Sequence, residues 1–179
     1  LNDNDRPVQI VFAGKAHPAD DPAKHHLQRV FRRALDPLFG GRVAFIDDYD
    51  LHVAHLLVQG CDVWLNNPRK PLEASGTSGM KAAMNGVPSL SILDGWWIEG
   101  CIEGVTGWAI GGGPRLQDSA QTTALDASSL YEKMERTVIP LYYRDHARFL
   151  EIMRHSIALN GAFFNSQRML LQYVLNAYF

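Results

Sequence analysis

A carboxylate and an amine bracket a run of small residues in Glu73-Ala74-Ser75-Gly76-Thr77-Ser78-Gly79-Met80-Lys81. Small side chains let backbone N–H groups approach an anion closely where a loop enters a helix. The Glu73 carboxylate can accept hydrogen bonds from sugar hydroxyls. The Lys81 amine can form a Schiff base with an aldehyde cofactor. Lys81 also sits near the start of a predicted helix, where the macrodipole disfavours a cation. That placement argues for a role beyond a solvated surface lysine. Thr77 and Ser78 are, in addition, residue types that cap helices.

The flanking elements must present this segment. Residues 8–13 form a β-branched run closed by Gly14, which reads as a buried parallel strand. Asp20-Asp21-Pro22 opens a helix with Pro in its first turn, and Leu27, Val30, Phe31, Ala34 and Leu38 supply its apolar stripe up to Gly40-Gly41. Residues 43–46 are a second strand, 51–59 a helix closed by Gly60, and 61–65 a third strand. Two prolines, Pro68 and Pro71, make the next loop irregular. A helix over 78–84 ends at Asn85-Gly86, and residues 88–93 are a fourth strand. This alternation predicts an α/β fold with a doubly wound parallel sheet. Ligands of such sheets sit beyond the C-terminal strand ends. Gly14-Lys15, Asp48-Tyr49, the 73–81 loop and Asp94-Gly95 all fall there and should meet at one rim.

After the core of residues 1–110, residues 111–126 read as a loop and 127–179 as helices, within a single partial domain. Leu130, Met134, Val138 and Leu141 recur at helical spacing, and Pro140 must start a new helix or kink the old one. Asn160-Gly161 stops the next helix, and Asn165 can cap the last.

A chain of 179 residues with 46% hydrophobic and 20% charged residues is long enough for a proper core. Its net charge of −2 gives no broad electrostatic footprint for nucleic acid or an anionic membrane. No apolar run approaches the ~20 residues that span a bilayer. Cys61 and Cys101 fit a reducing compartment, with Cys61 a core thiol rather than a disulfide partner. The N-terminus shows no signal-peptide pattern, and the missing initiator Met suggests a fragment or a processed chain. His52 and His55 lack the surroundings of a metal motif and read as a solvated helix face. No metal is expected. Lys15 is either a rim cation near phosphate or a surface residue. Trp96 and Trp97 read as packing rather than sugar-stacking residues.

The 73–81 segment resembles the pyridoxal-phosphate loop of the α-glucan phosphorylases (glycogen, starch, maltodextrin). Phe12-Ala13-Gly14-Lys15-Ala16-His17-Pro18, Phe45-Ile46-Asp47-Asp48-Tyr49, Leu93-Asp94-Gly95-Trp96-Trp97-Ile98-Glu99-Gly100 and Gly107-Trp108-Ala109-Ile110-Gly111 are similar to further segments of that family. So are Ser156-Ile157-Ala158 and Phe164-Asn165-Ser166-Gln167-Arg168-Met169. Together they cover nearly the whole chain and match the short bacterial-type branch. The resemblance implies the C-terminal lobe of a two-lobed, Rossmann-like (GT-B) glycosyltransferase.

It further implies that Lys81 carries pyridoxal 5′-phosphate and anchors it rather than transferring the proton itself. Thr77, Ser78 and Gly79 would face the cofactor phosphate. Glu73, Ser75 and Gly76 would hold the glucosyl unit, with Ser75 and Gly76 also bordering the cofactor, and Tyr49 would lie close to it. The family usually has arginine at the position of Asp50, and this departure argues against an anion contact there. Arg69 and Lys70 stand where larger eukaryotic members have a small uncharged segment.

The implied reaction is reversible phosphorolysis of an α-1,4-glucan by inorganic phosphate to glucose 1-phosphate in the cytoplasm. The family's basic KR-x-x-x-YK segment, which binds both phosphates, has no counterpart here. The isolated chain is therefore expected to be inactive and to lack the N-terminal lobe as its partner; homo-oligomers are common in the family. Two alternatives stand beside this reading. A nucleotide-sugar glycosyltransferase of the synthase type would show E-x7-E, but the position eight after Glu73 is Lys81. A non-catalytic carbohydrate-binding module would bind glucan without a cofactor.

Overall fold

The computed structural model describes residues 3–112 and 119–178. The chain forms two compact units, Leu1–Leu56 and Leu57–Phe179. In the first, β1 (Ile10–Ala13) pairs in parallel with β2 (Val43–Ile46), with Ile10 opposite Val43 and Ala13 opposite Ile46. The connecting helix α1 (Asp21–Ala34) begins where the Asp20 carboxylate accepts the Ala23 N–H at 2.9 Å, with Pro22 in the first turn. It stops at Ala34, short of the expected glycines. Pro37 explains the early stop. A residue before proline is pushed out of the helical region, and Asp36 is extended at φ −72°, ψ 120°. Residues Pro37–Phe39 then form one 3-10 turn, ended by Gly40 at φ +51°. Phe31 of α1 meets Phe45 of β2 edge to face, with ring centroids 6.2 Å apart.

Helix α2 (Leu51–Gly60) leads into the second unit. There β3 (Trp64–Asn66), β4 (Ser89–Ile92) and β5 (Gly107–Ile110) form a parallel sheet in that order. Between them lie α3 (Thr77–Met84) and α4 (Trp97–Gly100). Every residue of the central strand β4 is buried. Leu90 and Ile92 pack with Trp108, Ile110, Val138, Phe149 and Ile152. Val58, Ala82 and Val87 form a second cluster, and Ala83, Trp96 and Trp97 a third. The tryptophan pair is thus core, as its sequence suggests.

The α/β class with parallel strands is what the structure shows, with the strands in two sheets rather than one. β5 was not legible as a strand, because it opens on a glycine, a residue depleted in strands. The stretch expected as a loop to residue 126 is helical from Ser119, since α5 spans Ser119–Lys133. Residues 113–118 of that stretch lie outside the described residues.

A π-helical turn, Met134–Val138, joins α5 to α6 (Ile139–Arg144). Pro140 falls in the first turn of α6, and the widened turn accommodates its missing N–H. Helix α7 (His146–His155) begins on an Asp145 cap and passes into the π-helical Ser156–Gly161. Asn165 caps α8 (Ser166–Tyr173), accepting the Arg168 N–H at 2.8 Å. Among the described residues no helix is long and apolar enough to cross a membrane.

Candidate functional site

The carboxylate-to-amine segment connects β3 to α3, at the C-terminal end of a parallel strand. Its course is set by the β4–α4 connection. The buried Asp94 carboxylate accepts the Glu73 N–H at 3.0 Å, and the Trp96 N–H donates to the Ser75 carbonyl at 2.8 Å. Gly95 makes this approach feasible. It lies at φ +53°, and a Cβ there would stand 2.6 Å from the Ser75 oxygen and 2.9 Å from Glu73 Cγ. Glu73 is half-buried and its side chain lies over the Cβ-free faces of Gly76 and Gly95. The motif loop and Asp94-Gly95 therefore meet, as strand-end placement requires.

Helix α3 starts without a side-chain cap. Its N-cap is Gly76, in the left-handed conformation at φ +90°. Neither Thr77 nor Ser78 caps it, so the ordinary-cap reading of these residues does not apply. Among the described residues the Thr77 and Ser78 N–H groups make no hydrogen bond, while the Gly79 N–H returns to the Gly76 carbonyl at 3.2 Å. Thr77 is exposed, Ser78 half-buried and Gly79 buried. Uncapped N–H groups and the positive dipole end make this a natural anion cradle.

Lys81 is not in the first turn. The helix begins at Thr77 and has eight residues, which places Lys81 in its last turn, where the dipole favours a cation. The argument from an electrostatically disfavoured position is corrected accordingly. Lys81 is exposed, and its side chain makes no ion pair or hydrogen bond among the described residues. Its carbonyl accepts the Asn85 amide at 2.8 Å. The Val87 N–H returns to the Ala82 carbonyl across Gly86, which lies at φ +78°, and this closes the helix.

In the first unit, the ends of β1 and β2 bring Gly14-Lys15 and Asp47-Asp48 together. They line an open cavity of about 460 Å³ with Lys24, Phe31 and Phe45. Lys15 pairs with Asp48 at 2.8 Å and holds that carboxyl below its ordinary range. Tyr49 is half-buried next to this pair. Asp50, where the resembling family usually carries arginine, caps α2 by accepting the Val53 N–H at 2.8 Å. That is a structural use for the departure. His52 and His55 are exposed on α2, as a solvated face would have them. Cys61 and Cys101 are free thiols. Burial is the main cause that raises both, and it pushes Cys101 up to about 11. Sequence reasoning missed Trp96 as a neighbour of Gly76 and Gly79, since a core tryptophan carries no positional signal.

The family profile described as carbohydrate phosphorylase matches residues 2–107. The chain is 52% identical, over 99% of its length, to glycogen phosphorylase of Aquifex aeolicus, covering 26% of that protein. It is 45% identical over 97% of its length to maltodextrin phosphorylase of Thermococcus litoralis, covering 21%. Glycogen phosphorylase of Mycobacterium bovis is 45% identical over 99% of the chain, again with 21% of that protein covered. The chain thus spans between about a fifth and a quarter of the length of these relatives.

Proposed function

The chain belongs to the carbohydrate phosphorylase family, and from that premise we propose that it is the cofactor-bearing part of an α-glucan phosphorylase. The reaction is the reversible transfer of a terminal glucosyl unit from an α-1,4-glucan to inorganic phosphate, giving glucose 1-phosphate. The observation that carries this reading is the nine-residue segment itself: an N-terminus of α3 without a side-chain cap, an unpaired Lys81 one turn on, and Glu73 pinned through its own backbone to Asp94.

These features fit pyridoxal 5′-phosphate. The uncapped Thr77 and Ser78 N–H groups suit a phosphate, together with Gly79 and with the Cβ-free Gly76, beside which Ser75 lies. Lys81 Nζ is the attachment point, and its exposure leaves it accessible to a cofactor. When bound, the cofactor supplies a phosphate group that exchanges a proton near neutral pH. Lys81 holds it in place and takes no part in the proton transfer. Glu73 accepts hydrogen bonds from hydroxyls of the glucosyl unit, and Ser75 and Gly76 border the same sugar through their backbone. The Asp94 bond fixes the Glu73 main chain, and with it the point from which the carboxylate reaches. Tyr49 completes the proposed set of cofactor-binding residues, as the family resemblance implies. The activity belongs to the full-length protein, with the N-terminal lobe as its partner, in the cytoplasm; assembly into homo-oligomers is part of the same proposal.

The test is phosphate-dependent release of glucose 1-phosphate from maltodextrin by the full-length protein. Glu73→Gln should lower kcat/KM about ten- to a hundredfold, since a charge-assisted hydrogen bond is worth ~1.5–3 kcal/mol. Glucosyl transfer from a nucleotide sugar with no phosphorolysis would overturn the reading in favour of a synthase.

A further inference from the structure

The geometry points to Trp96 as the positioning residue of the cofactor loop, acting through a size match with Gly76 and Gly79. This rests on the proposal that the loop holds pyridoxal phosphate. The indole lies flush against the loop backbone. A Cβ at Gly79 would stand 2.8 Å from Trp96 Nε1 and 3.0 Å from Cζ2, and a Cβ at Gly76 would stand 2.9 Å from Cδ1. The same residue's N–H holds the Ser75 carbonyl at 2.8 Å. Trp96 therefore braces the loop twice, by its ring and by its backbone.

The ring is not free to yield. It is 5% exposed, sits 5.0 Å from the Trp97 ring, and meets Phe164 edge to face at 5.2 Å. On its far side a Cβ at Gly100 would stand 2.7 Å from Cζ3. Gly79 is helical, and alanine is ordinarily the better helix residue. The indole makes glycine the residue that fits. The unbonded N–H groups of Thr77 and Ser78 lie between the two glycines that contact the ring. Their direction thus follows the position of Trp96.

The test uses the full-length protein and three variants: Gly79→Ala, Trp96→Ala and the double. Without cofactor, amide exchange over residues 73–80 should quicken about tenfold or more in Trp96→Ala, since loss of the brace opens the loop locally. Gly79→Ala should weaken pyridoxal phosphate binding about tenfold, and the double variant should recover to within about threefold of Trp96→Ala alone, the coupling expected of touching residues. Unchanged exchange in Trp96→Ala, or a double variant no better than Gly79→Ala, overturns the assignment. If Gly79→Ala does not fold, exchange in Trp96→Ala decides. A parent protein that takes up no pyridoxal phosphate would remove the cofactor reading, while the exchange result would still judge Trp96.

Discussion

Gly95→Ala probes the junction between the two connections that build the site. Two costs add. Gly95 lies at φ +53°, and a left-handed conformation costs an L-residue about 1 kcal/mol. The new Cβ would also stand 2.6 Å from the Ser75 oxygen and 2.9 Å from Glu73 Cγ. That oxygen cannot retreat without giving up the Trp96 N–H it accepts at 2.8 Å, a loss of roughly 1–3 kcal/mol with the donor left inside the protein. The expected destabilisation is therefore about 3 kcal/mol. Gly104→Ala isolates the first cost, because Gly104 is also left-handed, at φ +68°, yet nothing lies within 4 Å of its Cβ position. It should lose only about 1 kcal/mol. Urea unfolding followed by tryptophan fluorescence is the assay, since Trp64, Trp96, Trp97 and Trp108 all lie in the second unit. Gly95→Ala should also lower kcat/KM for glucan by displacing Glu73. Equal unfolding midpoints for the two variants would refute the close-approach argument.

Other expectations follow the same physics. Phe149→Ala, which removes a 1%-exposed ring stacked on Trp108 at 6.3 Å, should cost about 3–5 kcal/mol by urea unfolding. Asn165→Ala removes the cap of α8 and should cost about 1 kcal/mol, with faster amide exchange confined to that helix. Cys101, raised to about 11, keeps its proton in the folded state while an unfolded thiol loses it near pH ~8.5. Stability should therefore fall as pH rises from that ordinary value towards about 11. Alkylation of folded Cys101 at pH 8 should be slow and should accelerate through the same range; rapid alkylation at pH 8 would contradict its burial.

Much of this was legible because local chemistry decided it. The Asp20 and Asn165 caps, the Asn85-Gly86 stop and the parallel strands around the motif need only near neighbours. What was not legible depended on competition or on distance. Pro37 ended α1 before Gly40 could, although the apolar stripe ran on to Leu38. β5 opens on Gly107, which weakens its strand signal, and is defined by its pairing with β4. Lys81 moved from the first to the last turn of α3 because the helix begins at Thr77 and ends at Met84. The brace between Trp96 and Gly79 joins residues seventeen apart and is visible only in three dimensions. Residue types drew attention to the segment from Glu73 to Lys81 and the family resemblance supplied its reading, yet the uncapped helix start that suits an anion needed the backbone.

The most direct test of the account is borohydride reduction of the full-length protein, followed by digestion and mass mapping. A pyridoxyl adduct on Lys81, in the last turn of α3, is the predicted result. An adduct on another lysine, or none in a folded protein, would contradict it.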